Sequence, residues 1–144
     1  MRELAARAEL AEEIIVDSAG TGDWHIGERA DLRTLRVLSN AGYDGSGHRA
    51  RQFDAQWFDE RDLVIALDRG HQRTLRSWAP TEEDRDKVRL LRAFDPDGRP
   101  EEPDIPDPYY DGEQAFAEVL EQVEAACRGL LSFVTAELGH AARR

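Results

Sequence analysis

The chain has 144 residues, a length that suits one domain over residues 1–144 with a single core. Thirty acidic against 19 basic residues give a formal net charge of −11, which opposes nucleic acid as a partner because that binding rests on neutralising phosphates. Cys127 is the single cysteine, which excludes an intramolecular disulfide and a cysteine-based zinc site.

The four histidines (His25, His48, His71 and His140) show no H-x-x-x-H spacing, so neither a metal nor another cofactor is expected. No apolar run approaches the ~18 residues of a membrane span, and the N-terminus is charged and amphipathic. A soluble, cytoplasmic protein without a membrane partner is the expectation.

In chain order, residues 2–12 predict a helix with Leu4, Ala8 and Ala11 on one face and no N-cap ahead of it. Residues 14–16 (Ile14, Ile15, Val16) predict a buried strand that runs into Asp17-Ser18-Ala19-Gly20 and a loop to Gly27. A helix over about 29–41 turns Leu32, Leu35 and Leu38 inward and stops at Gly42. Asp54 caps a short helix through Phe58, and the apolar run 63–67 predicts a second strand ending at Asp68. A helix over about 69–78, an acidic loop and a third strand over 88–91 follow. Residues 95–112, rich in Pro, Asp and Gly, predict a long loop of the kind that carries function. The last helix runs from near Gly112 to about Leu138, with Phe116, Val119, Leu120, Val123, Cys127, Leu130, Leu131 and Val134 on one face.

Short apolar strands alternating with helices predict an α/β fold: a small open parallel sheet with helices on both faces. Ligands of such sheets bind beyond the carboxyl ends of the strands, so the loops after Val16, Leu67 and Leu91 share the functional rim.

Gly20-Thr21-Gly22 follows a predicted strand, but the spacing to Gly27 breaks G-x-G-x-x-G and no G-K-S/T follows, so a plain loop is favoured. Cys127 lies on the apolar face of a long helix, where a buried, unreactive thiol is the usual outcome, and Phe133 stands six positions later. Asp104-Ile105-Pro106-Asp107-Pro108-Tyr109-Tyr110 is the informative stretch. Two prolines bracket Asp107 and stiffen the backbone that presents its carboxyl group, and two aromatic rings follow. The residue chemistry alone still leaves a Pro-rich surface turn ahead.

Asp107-Pro108-Tyr109-Tyr110 resembles the general-acid motif of the low-molecular-weight protein-tyrosine phosphatases. Asp17-Ser18-Ala19-Gly20-Thr21 followed by Trp24-His25-Ile26-Gly27 resembles that family's second strand and pocket wall, and His48-Arg49-Ala50-Arg51-Gln52 its H-x-A-R-Q segment. The resemblance runs from about Arg2 to Leu138; arsenate reductases share the fold, but the Asp-Pro-Tyr-Tyr segment favours the phosphatase branch. It implies hydrolysis of phosphotyrosine, in a protein or another aryl phosphate, through a cysteinyl-phosphate intermediate and without a cofactor. Asp107 would protonate the leaving phenolate and then activate water. Trp24, Tyr109 and Tyr110 would wall the aryl slot, and Ser18 and His48 would fix the shape of the phosphate loop.

That loop, C-x-x-x-x-x-R-S, precedes the first helix in the family and supplies the nucleophilic thiolate and a bidentate arginine. It does not occur in these 144 residues. With its strand it amounts to roughly 15–25 residues, so the resemblance implies an N-terminally truncated, inactive chain. A misplaced start, a non-catalytic binding or regulatory relative, and a degraded remnant are the three readings. In the family the first strand lies between the segments corresponding to 14–16 and 63–67. Without it either the flanking edges are unpaired, at ~1–3 kcal/mol for each unsatisfied buried backbone group, or the flanking strands close up and pair directly.

Overall fold

The computed structural model of the protein describes residues 1–22, 27–30, 32–47, 49–98, 103–106 and 113–142. Strands β1 (Val64–Ala66) and β2 (Val88–Leu90) run parallel, with Val64 opposite Val88, Ile65 opposite Arg89 and Ala66 opposite Leu90. The chain along β1 alternates between the two faces, as the two-residue period of a strand requires. Val64 and Ala66 join Phe58, Leu75, Ala79 and Val88 in one buried cluster. Leu63 and Ile65 pack the opposite way, against a cluster of Leu91, Ile105, Ala126, Cys127 and Leu130. Full burial of such a side chain contributes about 1.5–3 kcal/mol, so the two faces of one short strand organise most of the core.

Helices cover both faces. The first cluster is completed by the 3-10 helix Ala55–Glu60, which carries Phe58, and by a ten-residue helix over Arg69–Trp78, which carries Leu75. Both begin at an aspartate: Asp54 accepts from the Gln56 N–H at 2.8 Å, and Asp68 from the His71 N–H at 2.7 Å. Each satisfies a donor that the helix itself leaves open. The second cluster lies under the long C-terminal helix Glu113–Ala142, whose buried stripe includes Phe116, Ala126, Cys127 and Leu130. Numbered in chain order, the helices are α1 (Arg2–Arg7), α2 (Leu32–Asn40), α3 (Arg69–Trp78), α4 (Glu82–Lys87) and α5 (Glu113–Ala142). The sheet is therefore an open parallel one covered on both faces, the fold class the sequence predicts.

Gly129 sets how closely α5 approaches the 3-10 turn Leu91–Phe94 that follows β2. A Cβ at this position would overlap the Phe94 carbonyl oxygen and come within 2.7 Å of its carbon. Gly42 ends α2 as predicted. It takes φ +87°, while the Tyr43 N–H bonds to the Leu38 carbonyl at 2.8 Å and the Gly42 N–H to the Ser39 carbonyl at 3.1 Å. That is a Schellman closure, with glycine in the left-handed position that a Cβ disfavours.

Four predicted elements are corrected. The first helix stops at Arg7, not near residue 12, because Ala5 is buried while Ala8, Glu9 and Ala11 are exposed and have no core to cover. It closes in the same way as α2 but with Glu9 in the left-handed position, at φ 61°. The Leu10 N–H bonds to the Ala5 carbonyl at 2.8 Å and the Glu9 N–H to the Ala6 carbonyl at 3.0 Å.

Residues 14–16 form no strand, and Ile15 is 94% exposed. The segment has no ladder partner among the described residues; its Val16 carbonyl accepts from Arg2 Nε at 2.7 Å instead. Leu32, predicted inward, is 74% exposed, since it sits in the first turn of α2 beyond the part that packs. The acidic loop is helix α4. Thr81 caps it by accepting from the Asp84 N–H at 3.1 Å, and Glu82, Glu83 and Asp84 place negative charge in its first turn, where the helix dipole favours it. Lys87 closes that turn onto the core, reaching Asp84 at 3.0 Å and the Phe58 carbonyl at 2.7 Å.

Candidate active site

Two short segments far apart in sequence lie side by side. The Gly20 N–H donates to the Arg51 carbonyl at 2.6 Å and the Phe53 N–H to the Gly20 carbonyl at 2.8 Å, making a parallel bridge between Gly20 and Gln52. Further along, the Gly27 N–H donates to the Ala50 carbonyl at 2.7 Å and the Ala50 N–H to the Glu28 carbonyl at 2.9 Å. The 49–53 segment thus holds both ends of the stretch that carries Trp24.

Below this frame lies a knot of charge and aromatic surface. The Asp17 carboxylate accepts from Arg61 Nε at 3.2 Å and from Arg51 Nη2 at 3.3 Å, with a second, shorter bond from Arg61 Nη2. Both guanidiniums also lie over the Trp57 ring, at 5.1 Å for Arg61 and 5.3 Å for Arg51. The Arg61 bond, aided by Arg51, holds the Asp17 carboxyl below its usual range, and Asp17 in turn raises the pKa of Arg61. Arg51 also donates to the Ser18 carbonyl at 3.0 Å. The main chain at the entrance of the wall loop is pinned from the side-chain side as well.

The second construction holds the stem of the long loop. The Ile105 N–H donates to the Leu67 carbonyl, one residue past β1, at 2.8 Å, and the Ile105 side chain is buried. The Asp104 carboxylate accepts from the Arg69 main-chain N–H at 2.8 Å and from its guanidinium at 3.3 Å. Arg92 Nη1 donates to the Asp104 carbonyl at 3.2 Å. The Arg69 main-chain N–H and then its guanidinium keep the Asp104 carboxyl below its usual range. The stem therefore leaves the sheet at the carboxyl end of β1, beside the start of α3, where open α/β sheets bind their ligands.

Of the six residues singled out in the sequence, Ser18 falls within the described residues. It is exposed and lines an open groove with Arg2, Val16, Asp17, Leu38 and Tyr43. Asp107, Trp24, Tyr109, Tyr110 and His48 lie outside the described residues. What is described is the framework on either side of them: Thr21 and Gly27 flank Trp24, Gly47 and Arg49 flank His48, and Pro106 precedes Asp107. Asp17, Arg51 and Asp104 have no role of their own legible in the sequence, and Arg61, Trp57 and Arg69 carry no mark in it at all. Asp17 and Arg51 stood inside segments already marked, but nothing local distinguishes Arg61 or Arg69 from the many other arginines.

Cys127 is buried in the second core cluster, and that burial pushes its thiol above the ordinary cysteine range. It packs as a small apolar residue. Among the described residues, no group of three His, Cys, Asp or Glu side chains is placed to hold a metal ion, and no helix is long and apolar enough to cross a membrane.

Known proteins give this framework a family. The family model for low molecular weight phosphotyrosine protein phosphatase matches residues 1–141. A low molecular weight protein-tyrosine-phosphatase of Streptomyces coelicolor is 56% identical over 127 residues, 88% of this chain and 77% of that protein. Low molecular weight protein-tyrosine phosphatase A of Mycobacterium tuberculosis is 40% identical over 129 residues, 90% of this chain and 76% of that protein. The crystal structure of a protein tyrosine phosphatase from Entamoeba histolytica superposes with a TM-score of 0.86 at 29% identity, covering 96% of this chain and 85% of that one. YfkJ from Bacillus subtilis gives 0.83 at 32% identity, over 94% and 82%. The match spans nearly the whole chain and includes both segments of the wall frame and the stem of the long loop. The chain belongs to the low molecular weight phosphotyrosine protein phosphatase family.

Proposed function

We propose that this chain serves the hydrolysis of phosphotyrosine, in a protein or another aryl phosphate, with Asp107 as general acid and then general base. The observation that carries the reading is the stem of the Asp104–Tyr110 stretch, anchored at the carboxyl end of β1. In the reaction a cysteine thiolate attacks phosphorus, the S–P bond forms and the P–O bond to the aryl group breaks, while Asp107 gives its proton to the departing phenolate. Water then attacks the phospho-enzyme, Asp107 takes the proton, and the S–P bond breaks to release phosphate. Trp24, Tyr109 and Tyr110 wall the aryl ring, and Ser18 and His48 brace the phosphate loop.

The thiolate and the phosphate-gripping arginine are not among these 144 residues: Cys127 is buried, and Phe133 occupies the position six residues later. The 144-residue chain by itself is therefore proposed to turn over no aryl phosphate. A non-catalytic binding or regulatory role is the second reading, favoured by that same composition.

The test is hydrolysis of 4-nitrophenyl phosphate, by this chain alone and by the natural protein purified from its source. The first should show no turnover above buffer. The second should lose about 10²–10⁴-fold in kcat on Asp107→Asn, the usual contribution of a positioned acid. Turnover by the isolated chain would refute the inactivity, and an inert natural protein would favour the non-catalytic role.

A further inference from the structure

The bonds around Asp104 form a latch, because each fixes a different degree of freedom of the loop stem. The Ile105 N–H bond to the Leu67 carbonyl, 2.8 Å, continues the main chain of β1 sideways into the loop. Arg92 holds the Asp104 carbonyl, the other end of that same peptide, at 3.2 Å and so fixes its tilt. The Asp104 side chain then ties the stem to α3 through the main-chain N–H of its first residue at 2.8 Å and the Arg69 guanidinium at 3.3 Å. An N–H at the first turn of a helix has no partner inside the helix, and negative charge is favoured there, so a carboxylate answers both needs. After Ile105 the chain passes through a single residue, Pro106, with its restricted φ, before Asp107.

From this we infer that Asp104, held by Arg69, is a positioning residue that sets where the main chain delivers Asp107 to the reacting phosphate ester. The inference rests on the phosphatase reading above for its chemistry, but the latch itself can be tested without turnover. Among the described residues, Arg69 and Arg73 from α3 are the charged groups that act on the Asp104 carboxylate, and both favour its ionised form. The latch is accordingly closed at neutral pH. Its carboxylate bonds to Arg69 weaken as the pH falls through the depressed pKa of Asp104, while the two main-chain bonds do not titrate.

The experiment is residue-resolved amide hydrogen exchange on the 144-residue chain, with Asp104→Ala, Asp104→Glu and Arg69→Ala beside the parent. Local opening that bypasses global unfolding should accelerate the Ile105 amide about tenfold or more in Asp104→Ala and Arg69→Ala. The paired amides of β1 and β2 and the melting temperature should be unchanged. Asp104→Glu should restore most of the protection, and acidification of the parent should reproduce the Asp104→Ala pattern after correction for intrinsic exchange. Unchanged exchange at Ile105 in Asp104→Ala would overturn the latch. Equal acceleration throughout the sheet would overturn it too, by showing general destabilisation. A natural protein whose hydrolysis is indifferent to Asp107→Asn would instead defeat the catalytic assignment, a separate result read in a separate assay.

Discussion

Gly129→Ala offers a sharp test of how the long helix meets the sheet. In an open helix interior this exchange stabilises by ~0.5–1 kcal/mol, because alanine loses less backbone entropy on folding. Here the added methyl would overlap the Phe94 carbonyl oxygen and lie 2.7 Å from its carbon, so main chain must move. Overpacking of a filled interior costs about 1–3 kcal/mol, and displacement of backbone belongs at the upper end of that range. The net effect is a loss of about 2 kcal/mol, which for a domain of this size lowers the melting temperature by roughly 4–8 °C.

Gly139→Ala is the matched control in the same helix, since nothing lies within 4 Å of a Cβ there. It should stabilise by up to about 1 kcal/mol. Urea and thermal unfolding followed by far-UV circular dichroism on the two variants and the parent gives both numbers. A Gly129→Ala protein that melts at or above the parent would show that α5 does not press on the Leu91–Phe94 turn, and the packing described for that face would be wrong.

Three further expectations concern single side chains. Asp17→Asn should cost about 1–2 kcal/mol at neutral pH, since a charge-assisted bond contributes ~1.5–3 kcal/mol and partial exposure of the pair reduces it. The carboxyl is depressed in the folded state, so this stability is present above the unfolded pKa and disappears as the pH falls through the folded one; parent and variant melts should converge under acid conditions, and a constant gap would contradict the ion-pair account. Glu9→Gly should raise stability by about 0.5–1 kcal/mol by relieving a side chain at φ 61°, as read by urea denaturation; a loss would argue against the left-handed closure of α1. Cys127 should resist iodoacetamide in the folded protein and react once urea unfolds it, since burial raises its thiol pKa; labelling at the unfolded rate under native conditions would refute its burial.

The sequence revealed what is local and concealed what is not. The run 63–67 ending in a capping aspartate, the stop at Gly42 and the apolar stripe of α5 each depend on near neighbours, and each stands in the structure. Residues 14–16 misled because apolarity is a property of a segment, whereas a strand needs a partner from elsewhere. The acidic stretch before Lys87 misled for the opposite reason. Its charges were counted as a solvated loop, although Thr81 and the order of acids before bases spelled out a helix start and end.

For the site, the bracketed Asp107 was readable from its prolines and from the family likeness. The parts that hold its loop were not. Asp104 meets Arg69 across 35 positions, and Arg61 meets Asp17 across 44, and no spacing rule reaches that far.

The wall of the candidate site is fixed by main-chain bonds: Gly20, Gly27, Ala50 and Phe53 all donate through backbone N–H groups to backbone carbonyls. Such bonds need no particular side chain wherever the backbone angle is an ordinary one. Substitutions at residues 21–26 therefore leave the bonds of the frame in place, whereas Gly27, at φ +82°, is held to glycine. The frame and the segment it carries can thus vary separately, the one held by backbone geometry and the other by sequence.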